Sequence, residues 1–102
     1  MPTADRNITF SVNGNSMVPT FSNGDVIKFD KFDSRYTVDV GDVIVFNHPF
    51  KKNLKLIKRV THTLDSSNFY VQGDNPGILE SEDSHNFGYI HKKTIIAIKK
   101  RK

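Results

Sequence analysis

The sequence predicts a single small all-β domain with a coiled or barrel-like sheet. Short runs of β-branched and aromatic residues are separated by turn signals made of Gly, Asn, Asp and Pro. No helical period of apolar residues persists for more than two turns. At 102 residues the chain is expected to form one domain over residues 1–102, with flexible ends at residues 1–7 and 99–102.

Each predicted strand is defined by its apolar pattern and by the turn residues that bound it. The first alternates apolar and polar residues, as a half-buried strand does. The third is a continuous apolar run, which predicts a central strand, and Pro49 ends it because proline cannot donate to a ladder. The predicted strands cover residues 8–12, 26–29, 43–46, 54–64, 69–71, 87–90 and 94–98.

Composition excludes several classes of protein. There is no cysteine, so neither disulfides nor thiolate metal sites support the fold. No apolar run approaches the roughly 20 residues that span a bilayer. The first seven residues lack an apolar stretch, so we expect no signal peptide and a cytoplasmic location. The net charge of +4 is modest, and aromatic residues do not interleave with the basic ones, so no nucleic-acid partner is expected.

The segment 14–21 is expected to be a loop between the first two strands, and it holds a serine in a rigid frame. Gly14 comes two residues before Ser16 and allows backbone conformations that other residues avoid. Pro19 fixes its own φ and holds Val18 extended. A hydroxyl framed in this way has a defined direction, as a nucleophile requires. The same residues also fit an ordinary loop.

A lysine interrupts the long predicted strand over residues 54–64. Because neighbours on a strand face opposite sides, Lys58 shares a face with Leu56 and Val60 if Arg59 faces solvent or a polar rim. An amine among apolar groups loses the solvation of its charge and its pKa falls, so it could accept a proton from a serine hydroxyl. The alternative is an edge-strand lysine whose amine reaches water.

A long polar segment over residues 73–88 separates the last strands. It begins with Gly73-Asp74-Asn75 and contains the run Ser81-Glu82-Asp83-Ser84. By itself it fits a surface loop, but it is long for a connection in so small a domain, and such loops often carry function.

Together these segments resemble the signal peptidase I superfamily of Ser/Lys proteases. The resemblance covers roughly residues 10–98 and implies the all-β catalytic core that signal peptidase I shares with LexA-type proteins. Its four boxes occur in the family's order: Ser16-Met17-Val18-Pro19-Thr20, Gly41-Asp42-Val43, Lys58-Arg59-Val60, and Gly73-Asp74-Asn75 with Ser81-Glu82-Asp83-Ser84.

The resemblance implies that Ser16 is the nucleophile and Lys58 the general base of an acyl transfer that needs no cofactor and no metal. Gly14, Met17 and Pro19 are expected to set the geometry of the loop, and the backbone N–H of Ser16 is expected to help hold the oxyanion. Many relatives carry a side-chain hydroxyl at the position of Gly14. That second donor is therefore absent here or comes from the backbone.

The resemblance also implies three supporting residues, Ser81, Asp83 and Arg59. Ser81 matches a serine that hydrogen-bonds and orients the base. Asp83 matches a carboxylate that pairs with an arginine two residues later, a position that His85 occupies here. We therefore expect Asp83 to pair with Arg59, or with His85 when its ring is protonated, which would make the bracing pH-sensitive. The role of His85 stays open.

By the same resemblance, the chain is a serine endopeptidase that removes an N-terminal leader from a precursor protein. It lacks a membrane anchor and the large insertion domain of many relatives, and so looks like the maturation proteases of nickel-type superoxide dismutase. That enzyme's precursor is the expected substrate. The alternative is a signal peptidase I-type enzyme that cleaves signal peptides of exported proteins. Peripheral contact with a membrane and the oligomeric state are left open.

Three other functions fit the sequence less well. A self-cleaving repressor of the LexA type needs a DNA-binding domain or a cleavable arm, and the residues before the first strand are too few for either. A binding module without catalysis would not need both Ser16 and Lys58. A metal site is not expected, because no ligand pattern matches the spacing of His48, His62, His85 and His91.

Overall fold

The computed structural model describes residues 6–77 and 83–101. Over these residues the protein forms a seven-stranded antiparallel sheet with almost no helix, which confirms the predicted all-β class. In the described part no ladder joins the two outermost strands, so the sheet is open. Its strands are β1 (Asn7–Ser11), β2 (Val26–Lys31), β3 (Val43–Asn47), β4 (Lys55–Thr63), β5 (Asn68–Gln72), β6 (Ile90–His91) and β7 (Ile95–Lys99).

The strands do not follow chain order across the sheet, which runs β1-β2-β7-β3-β4-β5-β6. The last strand, β7, lies between β2 and β3 and pairs with both. The N-terminal hairpin β1–β2 therefore joins the rest of the sheet through β7. Strand β3 has a paired neighbour on each side and four consecutive buried residues, as expected for a continuous apolar run at the centre of a sheet.

Apolar side chains cover both faces of the central sheet. Alternate residues of β3 enter different clusters, so that Ile44 and Phe46 lie on one face and Val43 and Val45 on the other. The first cluster contains Ile44, Phe46, Val60, Phe69, Val71, Ile90, Ile95 and Ile98. The second contains Val12, Met17, Phe21, Phe29, Val43, Val45 and Ala97, so it reaches into the connection between β1 and β2.

The predicted strand over residues 87–90 is wrong at its start. Phe87 ends a one-turn helix, α1 (Ser84–Phe87), and the strand begins only at Ile90. The Asp83 side chain caps the helix by accepting the backbone N–H of His85 at 2.9 Å. Gly88 follows the helix with a φ of 79°, which few other residues adopt easily. A cap at each end thus favours a helical turn over a strand.

The segments assigned to flexible ends take part in the sheet where they are described. Asn7 begins β1, and Lys99 ends β7. Lys100 and Arg101 continue from β7 and bond to the side chain of Asp42. No helix in the described ranges has the length and apolar content that crossing a membrane requires.

We expect Phe46→Ala to lower the free energy of unfolding by about 3 to 5 kcal/mol, because it leaves a cavity where β3 is fully buried. Phe50→Ala is the matched control, since Phe50 is 76% exposed, and it should change stability by at most about 0.5 kcal/mol. Urea unfolding measures both values. Similar losses for the two variants would contradict the assignment of the core.

Candidate active site

The loop that connects β1 to β2 places Ser16 beside the core. Two backbone hydrogen bonds join the ends of this loop. The N–H of Val12 donates to the carbonyl of Asp25, and the N–H of Gly24 donates to the carbonyl of Val12, both at 2.8 Å. Met17 is buried in the second apolar cluster and anchors the loop to the sheet. Ser16 is therefore half-buried next to an anchored residue.

Lys58 lies in the middle of β4, opposite Ile44 on β3, and only 3% of its surface is exposed. Val60 belongs to the first apolar cluster and Leu56 packs against it, as expected for residues two positions away on the same strand face. A lysine in such a place is uncommon, because burying an ammonium is costly.

Ser16 and Lys58 line the same small cavity, whose volume is about 70 Å³. The remaining walls come from the end of β1 and the start of β4: Ser11, Val12, Asn13, Met17, Lys55, Leu56 and Ile57.

Gly14 and Pro19 shape the loop without lining this cavity. Gly14 has a φ of 87°, and its N–H donates to the Asn23 side chain at 2.7 Å. The amide of Gly14 is therefore engaged within the loop. The peptide bond between Val18 and Pro19 is cis.

The carboxylate of Asp74 joins β4 to the Ser16 loop. Arg59 donates to both of its oxygens, from Nε at 2.8 Å and from Nη2 at 2.7 Å. Thr20, at the end of the Ser-Met-Val-Pro-Thr box, donates its hydroxyl to Asp74 at 2.6 Å. The third guanidinium nitrogen, Nη1, donates to the carbonyl of Gly41 at 2.7 Å. Thus Asp74 and Arg59 connect all four boxes that the sequence contains.

The residues on either side of Asp74 hold the backbone of the serine. The N–H of Asn75 donates to the Ser16 carbonyl at 2.9 Å, and its side-chain amide donates to the Asn15 carbonyl at 2.9 Å. Gly73 packs so closely that a Cβ there would lie 2.5 Å from the Ser16 carbonyl oxygen. The position therefore admits only glycine unless the serine loop moves.

Asp74 and Arg59 stabilise each other in their charged forms. Burial alone raises the pKa of Asp74, but the hydrogen bonds from Arg59 and Thr20 and the attraction of the guanidinium hold it below the usual value. The hydrogen bond from Asp74 raises the pKa of Arg59 against the opposing effect of burial. Because both ends of the bridge are charged at neutral pH, the bidentate geometry is retained there.

The remaining predicted residues lie beyond the cavity walls or outside the described ranges. Asp83 is buried at the start of α1, and its carboxylate lies 3.4 Å from Nδ1 of the exposed His85. Arg59 pairs with Asp74, whereas the carboxylate of Asp83 contacts His85, the other expected partner. Ser81 lies outside the described residues.

Thr20 and Asp74 lie in the sequence boxes, but the sequence alone assigns no role to either side chain. The sequence places Thr20 and Asp74 in two segments of the chain, and nothing in either segment alone predicts their hydrogen bond. Among the described residues, no group of three or more His, Asp or Glu side chains is arranged to hold a metal ion.

We expect Asp74→Asn to destabilise the protein by about 1 to 3 kcal/mol near pH 7, because the charged hydrogen bonds with Arg59 are lost. The pKa of Asp74 is lowered by folding, so its carboxylate stabilises the fold above the ordinary aspartate pKa of about 4. This contribution disappears as the pH falls through the lowered value. Urea unfolding from pH 7 to pH 2 should therefore show the variant and the wild type converging.

Asp30→Asn is the matched control, since it removes a carboxylate from β2 without touching this bridge. A loss of stability that is equal in the two variants, or that does not shrink in acid, would contradict the role assigned to Asp74.

Comparison with known proteins identifies the family. The family model described as signal peptidase, peptidase S26, matches residues 7–63, which is more than half of the chain and includes both Ser16 and Lys58. Comparison with curated proteins gave no match. The matched segment runs from β1 to the end of β4 and thus contains the serine loop and the buried lysine. The chain belongs to the signal peptidase family, peptidase S26.

Proposed function

We propose that the protein is a serine endopeptidase in which Ser16 is the nucleophile and Lys58 the general base. The observation that carries the proposal is the cavity that the two residues share, one on an anchored loop and the other buried in β4. Membership of the signal peptidase family supports a hydrolase that acts on peptide bonds. Burial disfavours the ammonium and favours the neutral amine. The neutral amine is the form that a general base needs.

The reaction proceeds in two acyl transfers. Neutral Lys58 takes the hydroxyl proton of Ser16 while the oxygen attacks the carbonyl carbon of the scissile bond. The tetrahedral intermediate then expels the amine, which takes the proton from Lys58, and an ester on Ser16 remains. Lys58 next takes a proton from water, whose oxygen attacks the ester carbonyl. The second tetrahedral intermediate then expels the serine oxygen, which takes the proton from Lys58, so that the acid, the free serine and the neutral amine are restored.

The backbone N–H of Ser16 is the proposed oxyanion donor. No described hydrogen bond engages this N–H, whereas the Ser16 carbonyl is held by Asn75. A donor that is already fixed in place stabilises the developing charge without reorganisation. Met17 and Pro19 contribute by anchoring and shaping the loop on which this donor lies. Ser81 and Asp83 remain proposed supports of the base, with Asp83 acting from the start of α1.

The start of β4 offers a place for an extended substrate. Residues 55–58 of β4 pair with β3 on one side, but the pairing of β4 with β5 begins only at Arg59. The same four residues line the cavity with Ser16. A peptide added to this edge as a strand would place its backbone along the cavity, a common mode of peptide recognition.

The proposed substrate is a precursor protein that loses an N-terminal leader, and the precursor of nickel-type superoxide dismutase is the specific candidate. The support is the compact arrangement, because β4 runs into β5 through the short loop 64–67 without the insertion domain of many relatives. We propose that this processing takes place in the cytoplasm. Cleavage of signal peptides from exported proteins is the second candidate, and the match to the signal peptidase family supports it.

We expect Ser16→Ala and Lys58→Ala each to reduce cleavage to background, while circular dichroism shows a retained fold. Lys58→Arg should also be inactive, because a guanidinium keeps its proton at accessible pH. Activity of the wild type should rise with pH as Lys58 becomes neutral. Initial rates from pH 6 to pH 10 measure this profile.

Ser22→Ala is the control for the serine, since Ser22 lies in the same loop and bonds to Asp25 through its backbone N–H and carbonyl. Lys52→Ala, at an exposed position in the β3–β4 turn, controls for the loss of a lysine. Substantial cleavage by Lys58→Arg, or a flat pH profile, would rule out Lys58 as the base.

The substrate is tested by incubating the protein with a nickel superoxide dismutase precursor and, separately, with a protein that carries a signal peptide. Mass spectrometry reads the new N-termini, and the Ser16→Ala variant shows which cleavages depend on the site. We expect removal of the dismutase leader at one bond. Cleavage of the signal peptide alone would overturn this substrate and support the second candidate.

A further inference from the structure

We propose that Lys100 and Asp42, which lie outside the cavity, are a positioning pair for the peptidase site. By fixing the turn over residues 39–42 they hold Arg59, and through Asp74 they hold the loop that carries Ser16. The inference rests on the proposed function for its effect on catalysis. Its effect on the geometry of Arg59 can be measured independently of activity.

Asp42 is a fully buried carboxylate that depends on three donors. Lys100 Nζ donates to its Oδ2, which also accepts the Asp39 N–H at 2.9 Å. Its Oδ1 accepts the Arg101 N–H at 3.0 Å. Two of the donors come from the end of β7, so the carboxylate ties that strand to the turn before β3. Removing Lys100 would leave a buried charge without its cation, which is a costly state.

The lysine is held in turn by more than one acceptor. Its ammonium also contacts Asp39 Oδ2 at 3.1 Å and the Thr37 carbonyl at 2.8 Å. Burial alone lowers the pKa of Lys100, but the hydrogen bonds to Asp42 and Asp39 outweigh burial and raise it. The ammonium therefore remains charged at neutral and moderately alkaline pH.

The turn that Asp42 fixes is joined directly to the centre of β4. The Gly41 N–H donates to the Val60 carbonyl, and the Val60 N–H donates to the Asp42 carbonyl, each at 2.8 Å. The Gly41 carbonyl accepts Arg59 Nη1 at 2.7 Å. The site of Gly41 is also filled by the tail, since a Cβ there would lie 2.7 Å from Cδ of Arg101. A shift of the turn would therefore move the acceptor that Arg59 uses.

From Arg59 the contacts continue to the nucleophile. The other two guanidinium nitrogens hold Asp74, which accepts the Thr20 hydroxyl, and the next residue, Asn75, holds the Ser16 carbonyl. The guanidinium of Arg59 is planar and donates to both the Gly41 carbonyl and the Asp74 carboxylate. A shift of the Gly41 carbonyl would therefore rotate the guanidinium and change the direction of its hydrogen bonds to Asp74.

A pair that only stabilised the fold would differ from a positioning pair in its effect on kinetics. Loss of stability lowers the amount of folded enzyme but leaves the turnover of each folded molecule unchanged. Loss of positioning lowers kcat in the folded enzyme, because a small displacement of the nucleophile slows the chemical step. Binding of a substrate along the edge of β4 would be affected less, since residues 55–58 pair with residues 44–47 of β3 and not with the turn over residues 39–42.

The test compares Lys100→Met with Lys100→Arg and with Lys99→Met, which removes the neighbouring exposed lysine of β7. Kinetics are measured on a peptide that spans the cleavage site of the wild type, at a temperature where unfolding is absent. The Nε–H resonance of Arg59 is followed by NMR in the same variants. For Lys100→Met we expect kcat to fall about tenfold with KM within about twofold, and the Arg59 resonance to shift.

Lys100→Arg should recover most of the wild-type kcat, and Lys99→Met should leave both readouts unchanged. Wild-type kcat and an unshifted Arg59 resonance in folded Lys100→Met would overturn the proposal and leave the pair a purely structural one. If Lys100→Met does not fold, the double variant Asp42→Asn/Lys100→Met removes both charges together. A wild-type kcat in that folded double variant would also overturn the proposal.

The two proposals fail in different ways. If Ser16→Ala still cleaves the peptide, the Ser/Lys assignment is wrong, whereas the response of Arg59 to Lys100→Met remains a valid test of the geometric step. If Ser16→Ala is inactive and Lys100→Met keeps its full kcat, only the positioning role is wrong.

Discussion

The site depends on one carboxylate in a loop, that of Asp74. It accepts two hydrogen bonds from Arg59 on the rigid strand β4 and one from Thr20 on the long loop between β1 and β2. A loop of that length has many conformations of similar energy, and fixing each residue costs roughly 1 to 2 kcal/mol of entropy. The bridge and the burial of Met17 together fix the loop at two points on either side of its centre. Ser16 directly precedes Met17, and its carbonyl accepts the Asn75 N–H, so it takes a defined position beside Lys58.

The strand order explains how such a bridge can form in a small domain. Because β7 lies between β2 and β3, the N-terminal hairpin and the strand that carries Lys58 belong to one sheet without being adjacent. The loop of the hairpin then reaches back to the turn that follows β5, where Gly73, Asp74 and Asn75 meet it. The buried central strand gives this arrangement a rigid base, and the proposed chemistry is assigned to the loop and to a lysine whose neighbours on the strand are apolar.

The sequence predicts local features well and distant contacts poorly. Alternation and continuous apolar runs locate the strands, because burial on one or both faces has a direct pattern in sequence. The start of the strand near Phe87 was missed because Asp83 and Gly88, the residues that cap α1, are also ordinary loop residues. The sequence offers Arg59 as a partner for Asp83, but Arg59 pairs with Asp74, because the choice between the two carboxylates depends on how two loops fold back on β4. The bonds from Lys100 to Asp42 have no local signal at all, because they join the end of the chain to a turn before the third strand.

The most direct test of the Ser/Lys assignment is a crystal structure of the protein with a peptidyl boronic acid, whose boron forms a tetrahedral adduct with a catalytic nucleophile. The account predicts a bond from boron to Ser16 Oγ, one boronate oxygen accepting the Ser16 backbone N–H, and Lys58 Nζ within about 3.2 Å of the serine oxygen. An adduct on another residue would contradict it, and so would a boronate on Ser16 with the Lys58 amine beyond hydrogen-bonding distance.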